Sequence, residues 1–204
     1  MAISTGPLPQ SRDLQFSTAA QLPTSHGVFQ VQAVREHNGH EHLVVVKGDL
    51  TGRDSVPLRI HSECTTAGGL HSLRCDCDQQ LAAALDYFEA QGFGILIYLR
   101  QEGRGIGLFN KIEAYALQDT GLDTVEANAK LGFPIDLRTY EIAFRVLEYH
   151  GIESVRLLTN NPKKMLALQN NGIVVTNRVP IQISSNEFNQ RYLQAKKEKM
   201  AHFL

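Results

Sequence analysis

The three cysteines of this 204-residue chain, Cys64, Cys75 and Cys77, follow one another in a Cys-x10-Cys-x-Cys spacing. Thiolates grouped this way suit a soft, tetrahedral metal such as zinc. Three of them leave a fourth position open, as catalytic rather than structural zinc sites do. The odd count argues against a disulfide framework and for a reducing compartment. His61, three residues before Cys64, could be a fourth ligand. A supporting or substrate-facing role is favoured for it, because it stands at what reads as a strand end. His71, inside the loop between ligands, is expected to be exposed.

Three further segments carry groups suited to anions. Gln101-Glu-Gly-Arg-Gly-Ile-Gly107 lies between an apolar run and a helical pattern. Glycines there let backbone N–H groups turn toward a phosphate at a helix N-terminus, and Arg104 could pair with it bidentately. The spacing is neither the dinucleotide fingerprint nor a P-loop, and such loops are often only tight connections. Thr159-Asn-Asn-Pro-Lys-Lys164 places Asn161 as an N-cap and Pro162 at the first helical position. The two lysines that follow oppose the helix dipole; a bound anion would explain them, and a solvated surface turn is the alternative. Asp136 and Arg138 precede another helical pattern, where an Asp is ordinarily only an N-cap.

The elements around these groups read as follows. Residues 1 to 24, rich in Ser, Thr, Pro and Gln, are expected to form a mobile lead-in. Three strands follow, Gly27–Val34, His42–Lys47 and Val56–Ile60, with Asn38-Gly39 as a turn between the first two. Helices are expected over Gln79–Ala90, from the glycine loop through Leu117, over Leu137–Tyr149 and from Pro162 to Asn171. Buried strands are expected at Ile95–Leu99 and Val155–Thr159, with a last one from Val174. Helices alternating with apolar strands imply an α/β fold carrying antiparallel N-terminal strands. One domain over residues 25 to 182 and a polar helical tail over 183 to 204 complete the reading.

Net charge is −1 with 43% hydrophobic and 20% charged residues, so no global basic field recruits nucleic acid. No signal-peptide core and no membrane-length apolar run is visible, which points to a cytoplasmic protein.

Taken together, these segments resemble the GTP cyclohydrolase II family of riboflavin synthesis. The resemblance rests on Arg59-Ile-His-Ser-Glu-Cys64, Ser72-Leu-Arg-Cys-Asp-Cys77, Arg100-Gln-Glu-Gly-Arg104, Asn110-Lys-Ile, Ala114-Tyr-Ala-Leu-Gln-Asp119, Asp123-Thr-Val-Glu-Ala-Asn128, Leu131-Gly-Phe133 and Arg156-Leu-Leu-Thr-Asn-Asn-Pro-Lys-Lys164. It implies a layered α/β/α fold with a mixed sheet, and zinc on Cys64, Cys75 and Cys77. It implies that GTP is bound by Arg59, Ile60, His61, Ser62, Glu63, Gln80, Glu102, Gly103, Arg104, Thr124, Thr159 and Lys164. Asp136 is then the proton acceptor, Arg138 the nucleophile toward the α-phosphorus, and Tyr115 an assistant in ring opening. Magnesium on the triphosphate and a homodimer are implied as well.

Attack on the poorly electrophilic C8 of guanine needs a strong nucleophile, which a zinc ion with an open position supplies near neutral pH. Glu63 is the adjacent acid–base candidate. The chain departs from the family pattern around the ligands: Thr65-Thr66-Ala67-Gly68 stands after the first cysteine where Leu-Thr-Gly-Asp is usual, and Asp78 replaces the glycine that usually follows the second cysteine pair. A GTP-binding protein with altered or incomplete turnover is therefore the alternative reading.

Overall fold

The computed structural model describes residues 14–204. Its strands are β1 Leu14–Phe16, β2 Ala20–Thr24, β3 Gly27–Glu36, β4 Glu41–Lys47, β5 Val56–Ser62, β6 Gly94–Leu99, β7 Ser154–Leu158 and β8 Val174–Val179. They form one sheet in the order β1-β3-β4-β6-β5-β7-β8, with β2 also pairing β3. The first four strands and β6 pair antiparallel; β6, β5, β7 and β8 run parallel to one another. The helices are α1 Thr65–Leu70, α2 Cys77–Gln91, α3 Gly107–Asp119, α4 Thr124–Lys130, α5 Glu141–Tyr149, α6 Pro162–Asn170 and α7 Gln190–Met200.

Both faces of the parallel half are covered, which is why β6 reads as an unbroken apolar run. Ile95, Ile97 and Leu99 pack on one face with Leu58, Ile60, Val146, Leu147 and Leu168, so α5 and α6 lie there. Leu96 faces the other way, toward Phe29, Ala84 and Phe88, so α2 covers that side. Fully burying a side chain such as Phe88 contributes about 2–3 kcal/mol. The layered α/β/α arrangement with a mixed sheet is thus the one expected.

Strand β5 is central. The chain passes from β5 to β6 on one side of it, then returns to β7 on the other. A crevice opens beyond the carboxyl ends of parallel strands at such a reversal of direction. The segments after β5, β6 and β7 are the cysteine, glycine-loop and Asn-Asn-Pro segments, so topology alone gathers them.

Three expectations need correction. The lead-in expected over residues 1 to 24 is only partly described: Leu14–Phe16 and Ala20–Thr24 form β1 and β2 along β3, and residues 1 to 13 lie outside the described part. All of β2 but Thr24 is exposed, so it lacks the hydrophobic alternation that marks a strand. The helix expected from Leu137 begins only at Glu141, with Tyr140 at its N-cap. Asp136 consequently caps no helix. Finally, the stretch between the first two cysteines holds the short helix α1, which places Cys64 at its N-cap and His71, exposed as expected, at its left-handed C-cap.

Candidate functional site

The three sulfur atoms come together although no helix or strand holds all of them. Cys64 follows β5, Cys77 opens α2, and Cys75 sits on the turn between α1 and α2. All three Sγ atoms lie within 4.8 Å of one another, and Cys64 Sγ is 3.7 Å from Cys75 Sγ. Tetrahedral zinc with Zn–S bonds near 2.3 Å would space its sulfurs about 3.8 Å apart, so the donor set fits that metal. Mutual contact with Cys64 pushes Cys75 up to about 11, and contacts with Cys64 and Cys75 raise Cys77 well above an ordinary thiol. Cys64 is correspondingly lowered, by its contacts with Cys75 and Cys77. Three packed thiols cannot all ionise unaided; a divalent cation is what would let them.

Around the sulfurs the glycine loop supplies a second layer. Lys111 of α3 is buried and donates to Cys64 Sγ at 3.1 Å and to Glu102 Oε1 at 2.9 Å. Burial opposes its charge, but the Glu102 contact outweighs this and raises its pKa. Glu102 also accepts from the backbone N–H groups of Thr65, at 2.6 Å, and Gly103, at 2.7 Å. It therefore pins the glycine loop to the cysteine segment. Gly103 and Arg104 both adopt left-handed backbone angles, a strain of about 1–3 kcal/mol at the arginine. A side chain on Gly105 would strike Leu137 Cβ at 2.9 Å, which is how the loop packs against the Asp136 segment. Tyr115 reaches Thr66 Oγ1 at 3.4 Å, and Thr66 Oγ1 lies 3.7 Å from Cys64 Sγ.

Two adjoining clefts meet here. The first, enclosing roughly 660 Å³ with its mouth, is lined by the cysteines, Glu63, Glu102, Lys111, Tyr115 and Thr124. The second, roughly 530 Å³, is lined by Arg59, His61, Gln80, Thr159, Lys164 and α7 residues. Ser62, Cys77, Arg104, Arg138 and Tyr192 border both.

The second cleft is built for anions. Arg59, Arg104, Arg138, Lys164 and Lys196 line it, and among the described residues carboxylates pair only with Arg138 (Asp136) and Lys196 (Asp76). Arg59 donates to Leu158 O at 3.0 Å and to Gln80 Oε1 at 2.6 Å, and burial lowers it to about 10. Lys164 donates to Ile60 O at 2.7 Å; burial, then the charges of Arg59 and Arg138, depress its pKa well below 10.5. His61 is held neutral by burial and by Arg59, and stacks on Tyr98. Arg59 Nε, His61 Nδ1, Ser62 Oγ, both Arg104 terminal nitrogens, Asn161 Nδ2 and His202 Nε2 are buried without a hydrogen-bond partner among the described residues. Buried polar atoms ordinarily find one, so their convergence on one cleft marks a ligand's place.

At the junction Arg138 donates to Asp136 through Nε and NH2, both at 2.8 Å, while its backbone N–H donates to Oδ1 at 3.1 Å. Burial disfavours both charges, yet their pairing lowers Asp136 and raises Arg138.

Most residues singled out from the sequence meet here, with two qualifications. Ile60 has its side chain in the core and faces the site only through its carbonyl. Thr159 Oγ1 is engaged by Asn161 N–H at 3.0 Å. Asn161 itself caps α6, accepting from Lys163 N–H, as expected. Lys111, Asp76, Tyr192, Lys196 and His202 escaped the sequence reading as site residues. Lys111 lay inside a quoted motif, but nothing marks a lysine of a polar tail as buried.

The structure is thus an α/β protein whose sheet-end crevice joins a three-thiol cluster, able to hold a metal, to a cationic cleft suited to an anionic ligand. The family model for GTP cyclohydrolase II matches residues 15–180. A GTP cyclohydrolase-2 from Picrophilus torridus is 49% identical over 93% of this chain and 98% of its own length. One from Campylobacter hominis is 53% identical over 94% and 96%. A riboflavin biosynthesis protein of Vibrio vulnificus is 52% identical, and this chain spans 52% of it. The crystal structure of a two-domain 3,4-dihydroxy-2-butanone 4-phosphate synthase from A. baumannii shares the fold, with TM-score 0.50 and 16% identity, over 86% of this chain and 42% of that one. This chain belongs to the GTP cyclohydrolase II family and is an enzyme of that type.

Proposed function

We propose that this enzyme opens the imidazole ring of GTP, releasing formate and pyrophosphate and leaving the diaminopyrimidinone ribosylamine phosphate, as the first step of riboflavin biosynthesis. The observation carrying this reading is the junction of the three-thiol cluster with a cleft whose cations and orphaned donors demand an anion. The guanine would lie in the first cleft with C8 at the cysteines, and the β- and γ-phosphates in the second. The α-phosphorus would then fall at Arg138.

Cys64, Cys75 and Cys77 would hold zinc. Bound there, zinc supplies a Lewis acid and a hydroxide source near neutral pH. Glu63, 23% exposed and 3.8 Å from Arg100 Nε, stands at the mouth of the first cleft as the adjacent acid–base candidate. Thr124 would border the base; Arg59, Arg104, Thr159 and Lys164 would hold phosphates, with magnesium accompanying them. Asp136 is aligned to take the proton that a nucleophilic Arg138 must lose. Their ion pair keeps Arg138 charged at rest, so deprotonation must accompany attack rather than precede it.

The departures around the ligands support full turnover rather than altered turnover. Gly68 faces open space, and Asp78 pairs with His71 at 3.0 Å on the surface, away from both clefts. A homodimer belongs to this reading, supported by the exposed row Leu108, Phe109 and Ile112 on α3. Among the described residues no helix is long and apolar enough to cross a membrane, which agrees with a cytoplasmic location.

The test is the mass of the pyrimidine product formed from GTP by zinc-loaded protein with magnesium. Intact GTP would reject the reading. Cys75→Ser should abolish formate release, and Arg138→Ala should suppress pyrophosphate release by at least about 100-fold, as loss of a covalent step requires.

A further inference from the structure

Helix α7 drives a lysine into the interior of the site. Lys196 is 8% exposed and donates to Asp76 Oδ1 at 3.0 Å. Asp76 is the residue between Cys75 and Cys77, is 1% exposed, and accepts from Gln80 Nε2 at 2.5 Å through its other oxygen. Gln80 Oε1 accepts in turn from Arg59 NH2 at 2.6 Å. One polar chain therefore runs from the C-terminal helix through the cysteine turn to the anion cleft.

The sign of each charge gives this chain its meaning. Asp76 places a carboxylate among sulfur ligands that are themselves anionic when metallated. Without Lys196 that buried charge would lose its ion-pair partner and keep only the Gln80 amide and the more distant Arg59, and breaking a buried pair is costly. Ala195 and Met200 are its other buried residues, Tyr192 packs on the cysteines, and Lys199 ties its outer face to Asp123 and Glu126; Lys196 is the anchor that reaches the cysteine turn. Where it docks, it lays Tyr192, Met200 and His202 along the anion cleft. His202 Nε2, buried and without a hydrogen-bond partner among the described residues, is left there for a ligand.

We propose that Lys196 is a positioning residue that acts through Asp76. It fixes the Cys75–Cys77 turn around the metal and seats the C-terminal segment as a wall of the triphosphate cleft. This inference rests on the zinc and GTP reading above.

The experiment compares the full-length chain with Lys196→Met, Asp76→Asn and the double variant. Two quantities are read: zinc release to a chromogenic chelator, and calorimetric binding of inorganic triphosphate. Lys196→Met, which keeps the aliphatic stem, should accelerate zinc release by at least about tenfold, as groups that orient metal ligands do, and weaken triphosphate binding. The double variant, neutral at both positions, should fold and lose no more than the worse single variant. Wild-type zinc release and triphosphate affinity in Lys196→Met would overturn the proposal, even if its melting temperature fell. Fully additive losses in the double variant would overturn it too. A wild-type chain that binds no zinc would instead reject the functional reading, and the inference with it.

Discussion

Lys164 shows how a single side chain can be wrong for the empty protein and right for the occupied one. It is buried among Arg59, Arg138 and Lys196, with the Ile60 carbonyl as its only hydrogen-bond acceptor among the described residues. Burial and those like charges depress its pKa, so the empty cleft favours the neutral amine as pH rises toward 10.5. A bound polyanion favours the ammonium, so binding takes up a proton between the depressed pKa and the ordinary one. Affinity for inorganic triphosphate should therefore fall as pH rises through that window. Calorimetry in buffers of different ionisation enthalpy should register net proton uptake, and Lys164→Gln should remove it. The lysine's motif was legible in the sequence, since a charge opposed by a helix dipole asks for an anion. Its burial was not legible, because that depends on strands from distant parts of the chain.

At the scale of elements, α1 is the part least visible beforehand and the part most open to improvement. It is six residues long, with Gly68 and Gly69 in its last turns and no side-chain cap from Cys64. Periodicity cannot reveal so short a helix, whereas β5, β6 and β7 announced themselves as apolar runs. Gly68 is helical, and a methyl group there would meet nothing within 4 Å. Gly68→Ala should accordingly stabilise the protein by about 0.5–1 kcal/mol, raising the melting temperature by roughly 1–4 °C. The KM for GTP should not move, since Gly68 borders neither cleft. The Asp136 segment teaches the converse lesson. Asp before a helical pattern suggested a cap, and the early start of that pattern hid a loop whose carboxylate turns to its own arginine.

Over the whole molecule, the sheet does for the clefts what a metal would do for the cysteine turn. Strand pairing sets the carboxyl ends of β5 and β7 side by side and so brings Arg59, Thr159 and the start of α6 with Lys164 together, while the cysteine turn packs thiols whose ionisation a cation would favour. Removing zinc with a chelator should lower the melting temperature without unfolding the sheet at room temperature, and zinc should restore it. At a thousandfold excess over Kd a ligand adds about 4 kcal/mol, which sets the scale of the shift expected by calorimetry. The fold class was legible because alternating elements permit few topologies. The C-terminal wall was not, because Lys196 and Asp76 lie 120 positions apart and neither advertises the other.

Those separations also order events in time. The cysteines are near neighbours along the chain, so gathering them closes only short loops. The bonds from Arg59 to Leu158 and from Lys164 to Ile60 span 99 and 104 positions, and closing such loops is slow. A refolding chain should thus bring its three thiols near one another before it completes the cationic cleft, while the bond from Lys196 to Asp76, spanning 120 positions, locks the thiol turn only as the two halves join.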